Sequence, residues 1–251
     1  MRYCALFVRL TMRMLTTKNT SFLLLFTLFS FTSFAQKSAE LLVQANRATL
    51  ERDYSKAIDL YNQYIALNPE DFRGYFNRGT TEYNAEMFTE GLKDFSKTIE
   101  LNPVYREAYY YRGQCHTSLK NYAAAIADYN HILDKDEVSV PFLKLRSEAY
   151  IAQEKYDLAL TDINTALSVD RLSGDLYKRR AELRLLTNDI EGAIRDYSSV
   201  EKLIPNYKMV HFIKGNLYLR IQESDFACEE FKKALDNKVM VADRPYNESC
   251  K

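Results

Sequence analysis

Two nearly superimposable strings, YSKAIDLYNQYIALNP and FTEGLKDFSKTIELNP, end at Pro69 and Pro103, 34 residues apart, and Pro205 falls three further periods along the chain. A fixed period of this size marks a repeated supersecondary unit, one too small to bury its apolar face except against its neighbours. Starts at Ser38, Phe72, Arg106, Val140, Gly174 and Lys208 align six units without an insertion: 38–71, 72–105, 106–139, 140–173, 174–207 and 208–241.

The eighth position of the units holds Ala45, Gly79, Gly113, Ser147, Ala181 and Gly215, and the twentieth holds Ala57, Gly91, Ala125, Ala159, Ala193 and Ala227. Small side chains at fixed positions let two helices approach closely, and bulkier neighbours fill the gaps. Those neighbours stand at the twenty-fourth position, as Tyr61, Phe95, Tyr129, Ile163, Tyr197 and Phe231. Inside a unit the apolar residues recur at helical spacing, as in Tyr122, Ala125, Ile126, Tyr129, Ile132 and Leu133, so each unit reads as two amphipathic helices. Only seven Gly and five Pro occur in 251 residues, which also favours helices over sheet. Pro69, Pro103 and Pro205 stop second helices, and Pro141 opens a first helix where its missing N–H costs nothing.

These positions closely resemble the tetratricopeptide repeat (TPR) family, whose pattern has an aromatic at position 4, small residues at 8 and 20, an aromatic at 24 and Pro at 32. Units two and three match best, while Leu41, Leu143 and His211 depart at position 4 and Glu137, Arg171 and Val239 at position 32. The resemblance implies an all-α fold, a right-handed alpha-alpha superhelix of six helix pairs, whose inner wall is lined by positions 2, 5, 6, 9 and 12 of the first helices. On that expectation units two and three contribute Arg73, Phe76, Asn77, Thr80, Tyr83, Tyr110, Tyr111 and Gln114, an aromatic and amide surface. Units four and five contribute Lys144, Glu148, Lys178, Arg179 and Glu182, a charged one. Such a groove suits an extended peptide with an apolar end and an acidic end. The alternative for any one of these residues is plain packing, with Lys178 and Glu182 a solvated i,i+4 pair. The carboxylate clamp used by some family members is absent, since Leu42, Glu107 and Tyr111 stand where it needs basic or amide groups.

The first 35 residues carry Arg2, Arg9, Arg13 and Lys18 and no acid, followed by the apolar run SFLLLFTLFSFTSFA with small Ser33 and Ala35 before Gln36. This is the layout of a secretory signal peptide, with Met1, Met12 and Met14 as alternative starts. The chain is accordingly expected to be periplasmic or secreted after cleavage near Ala35, an uncleaved N-terminal membrane anchor being the alternative. Without the leader, 30 basic residues face 34 acidic ones. No basic face is indicated, so neither nucleic acid nor direct membrane binding after signal cleavage is expected.

His116, His131 and His211 lie in different units without Glu or His at metal spacing, and no HExxH, phosphate loop or GxSxG is present. No metal, cofactor or catalytic residue is indicated. Of the cysteines after the leader, Cys228 and Cys250 are the candidate disulfide, pinning residues 242–251 over the end of the stack. The competing reading makes Cys228 a buried apolar residue. The functional expectation is a non-catalytic scaffold or adaptor of the cell envelope that binds a protein or peptide. Its alternatives are a structural subunit contacting partners through its convex face and ends, and a repeat-scaffolded enzyme.

Overall fold

The structure is a computed structural model that describes residues 36–134 and 139–250. The leader and its candidate start sites lie outside the described residues. Among those residues the fold is all-α, six helix pairs and a short terminal helix. The pairs are α1 (36–50) with α2 (Tyr54–Leu67), α3 (Phe72–Asn84) with α4 (Phe88–Leu101), and α5 (Arg106–Ser118) with α6 (Tyr122–Leu133). They continue as α7 (Val140–Ala152) with α8 (Tyr156–Val169), α9 (Gly174–Leu186) with α10 (Ile190–Leu203), and α11 (Met209–Arg220) with α12 (Ser224–Asp236). A 3-10 turn (Met240–Ala242) then leads into α13 (Asp243–Ser249). No helix among the described residues is long and apolar enough to cross a membrane.

Local chemistry sets the helix ends. Asp53, Ser173 and Asp189 accept hydrogen bonds from backbone N–H groups of the turns they open, and Pro141 sits at the start of α7. Within each pair, the turn is closed by a residue with φ near +60°. These residues are Arg52, Glu86, Lys120, Glu154, Asn188 and Gln222, spaced by the repeat period. Left-handed backbone favours glycine, yet the chain places a polar residue with a Cβ at every one of these turns, only Asn188 being a common second choice there.

The chain divides between Ala108 and Tyr109 into two compact units. In the first, Ala45, Ala48, Ala57 and Tyr61 form a core, and Phe95 is fully buried beside Gly79, where an added Cβ would lie 3.0 Å from its ring. In the second, Leu143, Ile163, Ala166, Leu167 and Leu176 form one core, and Ala181, Ala193, Tyr197, Val200 and Leu217 another. Burial pushes the Tyr129 and Tyr197 hydroxyls up to about 12, so both rings act as neutral core residues.

Candidate interaction surface

A recurring row of Arg–Asp ion pairs stands behind the first helices α3, α5, α7 and α9. Arg78 Nη2 lies 2.6 Å from Asp94, Arg112 Nη2 2.6 Å from Asp128, Arg146 Nη2 2.6 Å from Asp162, and Arg180 Nη2 2.7 Å from Asp196. Each Arg reaches its own unit's second helix. Arg146 and Arg180 also donate backwards, to Asn130 at 2.7 Å and Asn164 at 2.8 Å in the preceding pair. A planar guanidinium suits this double role, gripping a carboxylate through two parallel N–H groups while a third reaches a neighbour. The row fixes the roll of each first helix, and thereby the side chains it presents.

On α3 the expected surface residues are drawn into local contacts. Arg73 donates to both oxygens of Asp71, at 2.6–3.0 Å, and the guanidinium holds that carboxyl down at about 2. Phe76 packs edge-on against Tyr105 with centroids 4.8 Å apart and tilts towards Phe95 at 6.0 Å. Asn77 donates to Asn46 at 3.2 Å, Thr80 donates back to the Asn77 carbonyl, and Tyr83 meets Phe88 at 5.7 Å.

Between α5, α7 and α9 the structure builds a cleft of about 690 Å³, lined by apolar Tyr110, Val140, Pro141, Phe142, Leu145 and Leu176 and rimmed by Lys144, Glu148, Asp170 and Arg179. Tyr110 stands edge-on to both Tyr111, at 4.9 Å, and Phe142, at 5.8 Å. The rim charges pair across neighbouring first helices. Lys144 Nζ lies 2.7 Å from Asp175 Oδ2, and Arg179 pairs with Glu148 and also with Asp175 at 3.2 Å. Burial pushes the Asp175 carboxyl up, but Lys144 and Arg179 outweigh it and hold the group below the usual carboxylate range. Lys178 sits over the Tyr207 ring at 5.1 Å and only 3.8 Å from Glu182. Gln114 is half-buried on the same helix as Tyr110.

Phe142, at position 3, and the Arg–Asp row, at positions 7 and 23, lie off the inward-facing positions, whereas Asp175 stands at inward-facing position 2 but is not among the expected surface residues. The row carried a signal, since positions 7 and 23 are Arg and Asp in units two to five and change together at both ends, to Gln44 with Leu60 and to Lys214 with Glu230. Cys228 and Cys250 are joined by a disulfide, and Cys115 is buried outside it.

Tandem helix pairs that present a cleft of apolar floor and ion-paired rim define a helical-repeat interaction module. The comparisons place it more closely. A family profile described as Tetratricopeptide repeat matches residues 76–139 and 145–208, just over half of the chain. The chain belongs to the tetratricopeptide repeat family, whose members serve as protein-interaction scaffolds. Three solved structures share the fold. A MamA fragment (41-end) of Desulfovibrio magneticus RS-1 is 15% identical, with TM-score 0.63, over 68% of this chain and 97% of that one. YrrB, described as a TPR protein with an unusual peptide-binding site, is 18% identical, with TM-score 0.60, over 74% and 97%. A tetratricopeptide repeat protein of Parabacteroides merdae ATCC 43184 is 22% identical, with TM-score 0.56, over 85% and 84%. No curated protein matches the sequence.

Proposed function

We propose that this chain is a non-catalytic, exported scaffold that holds an extended segment of a partner protein against the first helices α5, α7 and α9. In this reading a leader is removed near Ala35, and residues 38–241 form the binding array of six units. The observation that carries the proposal is the cleft at Tyr110, Phe142, Leu145 and Leu176. It is large enough for one or two apolar side chains, which supply contact area at low entropic cost. The peptide-binding site named for YrrB supports the same use of the fold.

The rim refines the expected partner. Lys144 and Arg179 already have carboxylate partners, so an acidic peptide end would have to displace Asp175 or Glu148. An uncharged segment with an apolar anchor avoids that cost, and its backbone finds donors and acceptors along the paired rim.

The test is site-specific photocrosslinking in envelope extracts, with the reactive residue at Gln114 beside the cleft or at exposed Thr161 on α8. Adducts at 114 that vanish in Tyr110→Ala/Leu145→Ala are expected. Equal adducts at 161, or adducts at 114 that survive the double variant, remove the cleft as the binding surface.

A further inference from the structure

The earlier repeats are an internal standard for what the fold needs at each position. Position 4 is Leu or Tyr in units one to five, and position 28 is Ile or Leu in units one to four and again, as Leu235, in unit six. Positions 7 and 23 are Arg and Asp in units two to five. At the junction of the fifth and sixth units all four change at once. Glu201 takes position 28 of unit five, and His211, Lys214 and Glu230 take positions 4, 7 and 23 of unit six.

Helix packing brings the four together from α10, α11 and α12. His211 Nδ1 lies 2.8 Å from Glu230 Oε2, and Lys214 Nζ lies 2.8 Å from Glu201 Oε2 and 3.0 Å from Glu230 Oε1. Ligand atoms of Glu201, His211 and Glu230 all lie within 4.8 Å of one another. Lys214 and Glu230 are buried, at 5% exposure each. Lys214 and Glu230 only exchange one ion pair for another, but Glu201 and His211 put ionisable groups where the other units carry Ile, Leu or Tyr, which costs desolvation that the other junctions do not bear. Stability therefore does not explain the substitutions.

We propose that Glu201, His211 and Glu230 form a binding site for a divalent transition-metal ion of the zinc type, with Lys214 as the internal cation that the metal displaces. One imidazole and two carboxylates are a ligand set suited to zinc, which leaves a fourth position for water. Calcium requires six to eight oxygen ligands, and both calcium and magnesium, as hard cations, gain little from an imidazole nitrogen. Bonds of about 2.0–2.1 Å put neighbouring tetrahedral ligands roughly 3.4 Å apart, so the three groups need to close by little more than 1 Å.

The choice of Lys where the other units carry Arg follows from displacement. A guanidinium clasped by Asp and Asn is fixed, whereas an ammonium on a flexible four-carbon stem is a point charge that can swing outward. Lys233, 3.2 Å from Glu230 Oε1, supplies a second positive charge at the rim. Two positive charges beside a divalent ion would oppose its binding, so the buried Lys214 must leave as the ion enters. The bound ion would tie the last helix pair to the one before it.

The experiment titrates chelator-stripped, purified full-length protein with zinc sulfate by isothermal calorimetry, and with cobalt(II) followed by visible absorption. One ion per chain is expected, with a cobalt spectrum of mixed nitrogen and oxygen ligation. His211→Leu and Glu201→Leu install residues the fold already carries at those positions, so they should keep the helical circular-dichroism spectrum and lose stoichiometric binding. Lys214→Met should bind about tenfold more tightly, through loss of the competing charge. Absence of stoichiometric zinc in the wild type, or undiminished binding by folded His211→Leu, overturns the site. An unchanged affinity in Lys214→Met overturns the displacement.

Discussion

Arg146 and Asp162 share two parallel hydrogen bonds, Nε to Oδ2 at 2.9 Å and Nη2 to Oδ1 at 2.6 Å, with the carboxylate almost wholly out of water. Removing the Arg alone leaves a buried carboxylate without its partner, at a cost of about 3 kcal/mol. Removing both charges together leaves nothing to desolvate. Unit one already has an uncharged pair at these positions, Gln44 and Leu60. Urea denaturation should therefore show Arg146→Met strongly destabilised and Arg146→Met/Asp162→Leu within about 1 kcal/mol of wild type. Equal losses in the single and double variants would falsify the pairing argument.

Glu82, on α3, makes the compact unit that ends at Ala108 sensitive to pH. Its side chain is buried, one carboxylate oxygen meets no hydrogen-bond donor among the described residues, and Arg78 stands 4.0 Å away. Burial, followed by the Asp94 charge, raises this carboxyl from 4.5 to about 7, with Glu90 adding to the rise and Arg78 opposing it. Between those two pH values the folded chain holds a proton that the unfolded chain has released, so stability falls as pH rises and levels off above about 7. Glu82→Gln removes the charge, and its amide can donate towards Asp94. Thermal melts should show the variant close to wild type at pH 4 and more stable by on the order of 1–2 kcal/mol at pH 8. A gain that does not grow with pH counts against Glu82 as the source.

The turn residues with positive φ offer a stabilising change. Glu154 has φ +59° and an exposed side chain, and its N–H closes the turn to the Ile151 carbonyl at 2.9 Å. The left-handed conformation costs a residue with a Cβ roughly 1–2 kcal/mol, part of which glycine returns through its greater freedom in the unfolded chain. Glu154→Gly should raise the unfolding free energy by about 0.5–1 kcal/mol, while Glu154→Ala should give no gain. An equal gain from both would point to the lost charge instead.

The sequence showed the helix pairs clearly because one residue size recurs at positions 8 and 20, and close packing tolerates nothing larger there. The left-handed turns were hidden, since Arg52, Glu86, Lys120, Glu154, Asn188 and Gln222 stand where glycine would have announced them. The Arg–Asp row is legible only by comparing units at positions 7 and 23, not from any one unit. Its partners lie 16 positions apart on two helices, so each reads alone as a solvated charge until the hairpin brings them together. The rim of the cleft is less legible still. Lys144 meets Asp175, and Glu148 meets Arg179, only through the stacking of one pair on the next, 31 residues along the chain.

At the other end of the chain, α13 spans only Asp243–Ser249, too short to hold helical structure alone in water. It is kept in place by Ala242 and Tyr246, which pack on Ala227, Phe231 and Ala234 of α12, and by the Cys228–Cys250 disulfide. Fully buried Phe231 would meet solvent if α13 left. Cys250→Ser should let α13 fray and lower stability by about 3 kcal/mol, the scale of a closed loop of this length. Hydrogen exchange should localise the loss, with amides of 240–250 exchanging freely, those of α12 becoming faster, and those of α8 unchanged. Protection of 240–250 that matches wild type would mean that packing on Phe231 alone holds the cap and that the disulfide adds nothing to it.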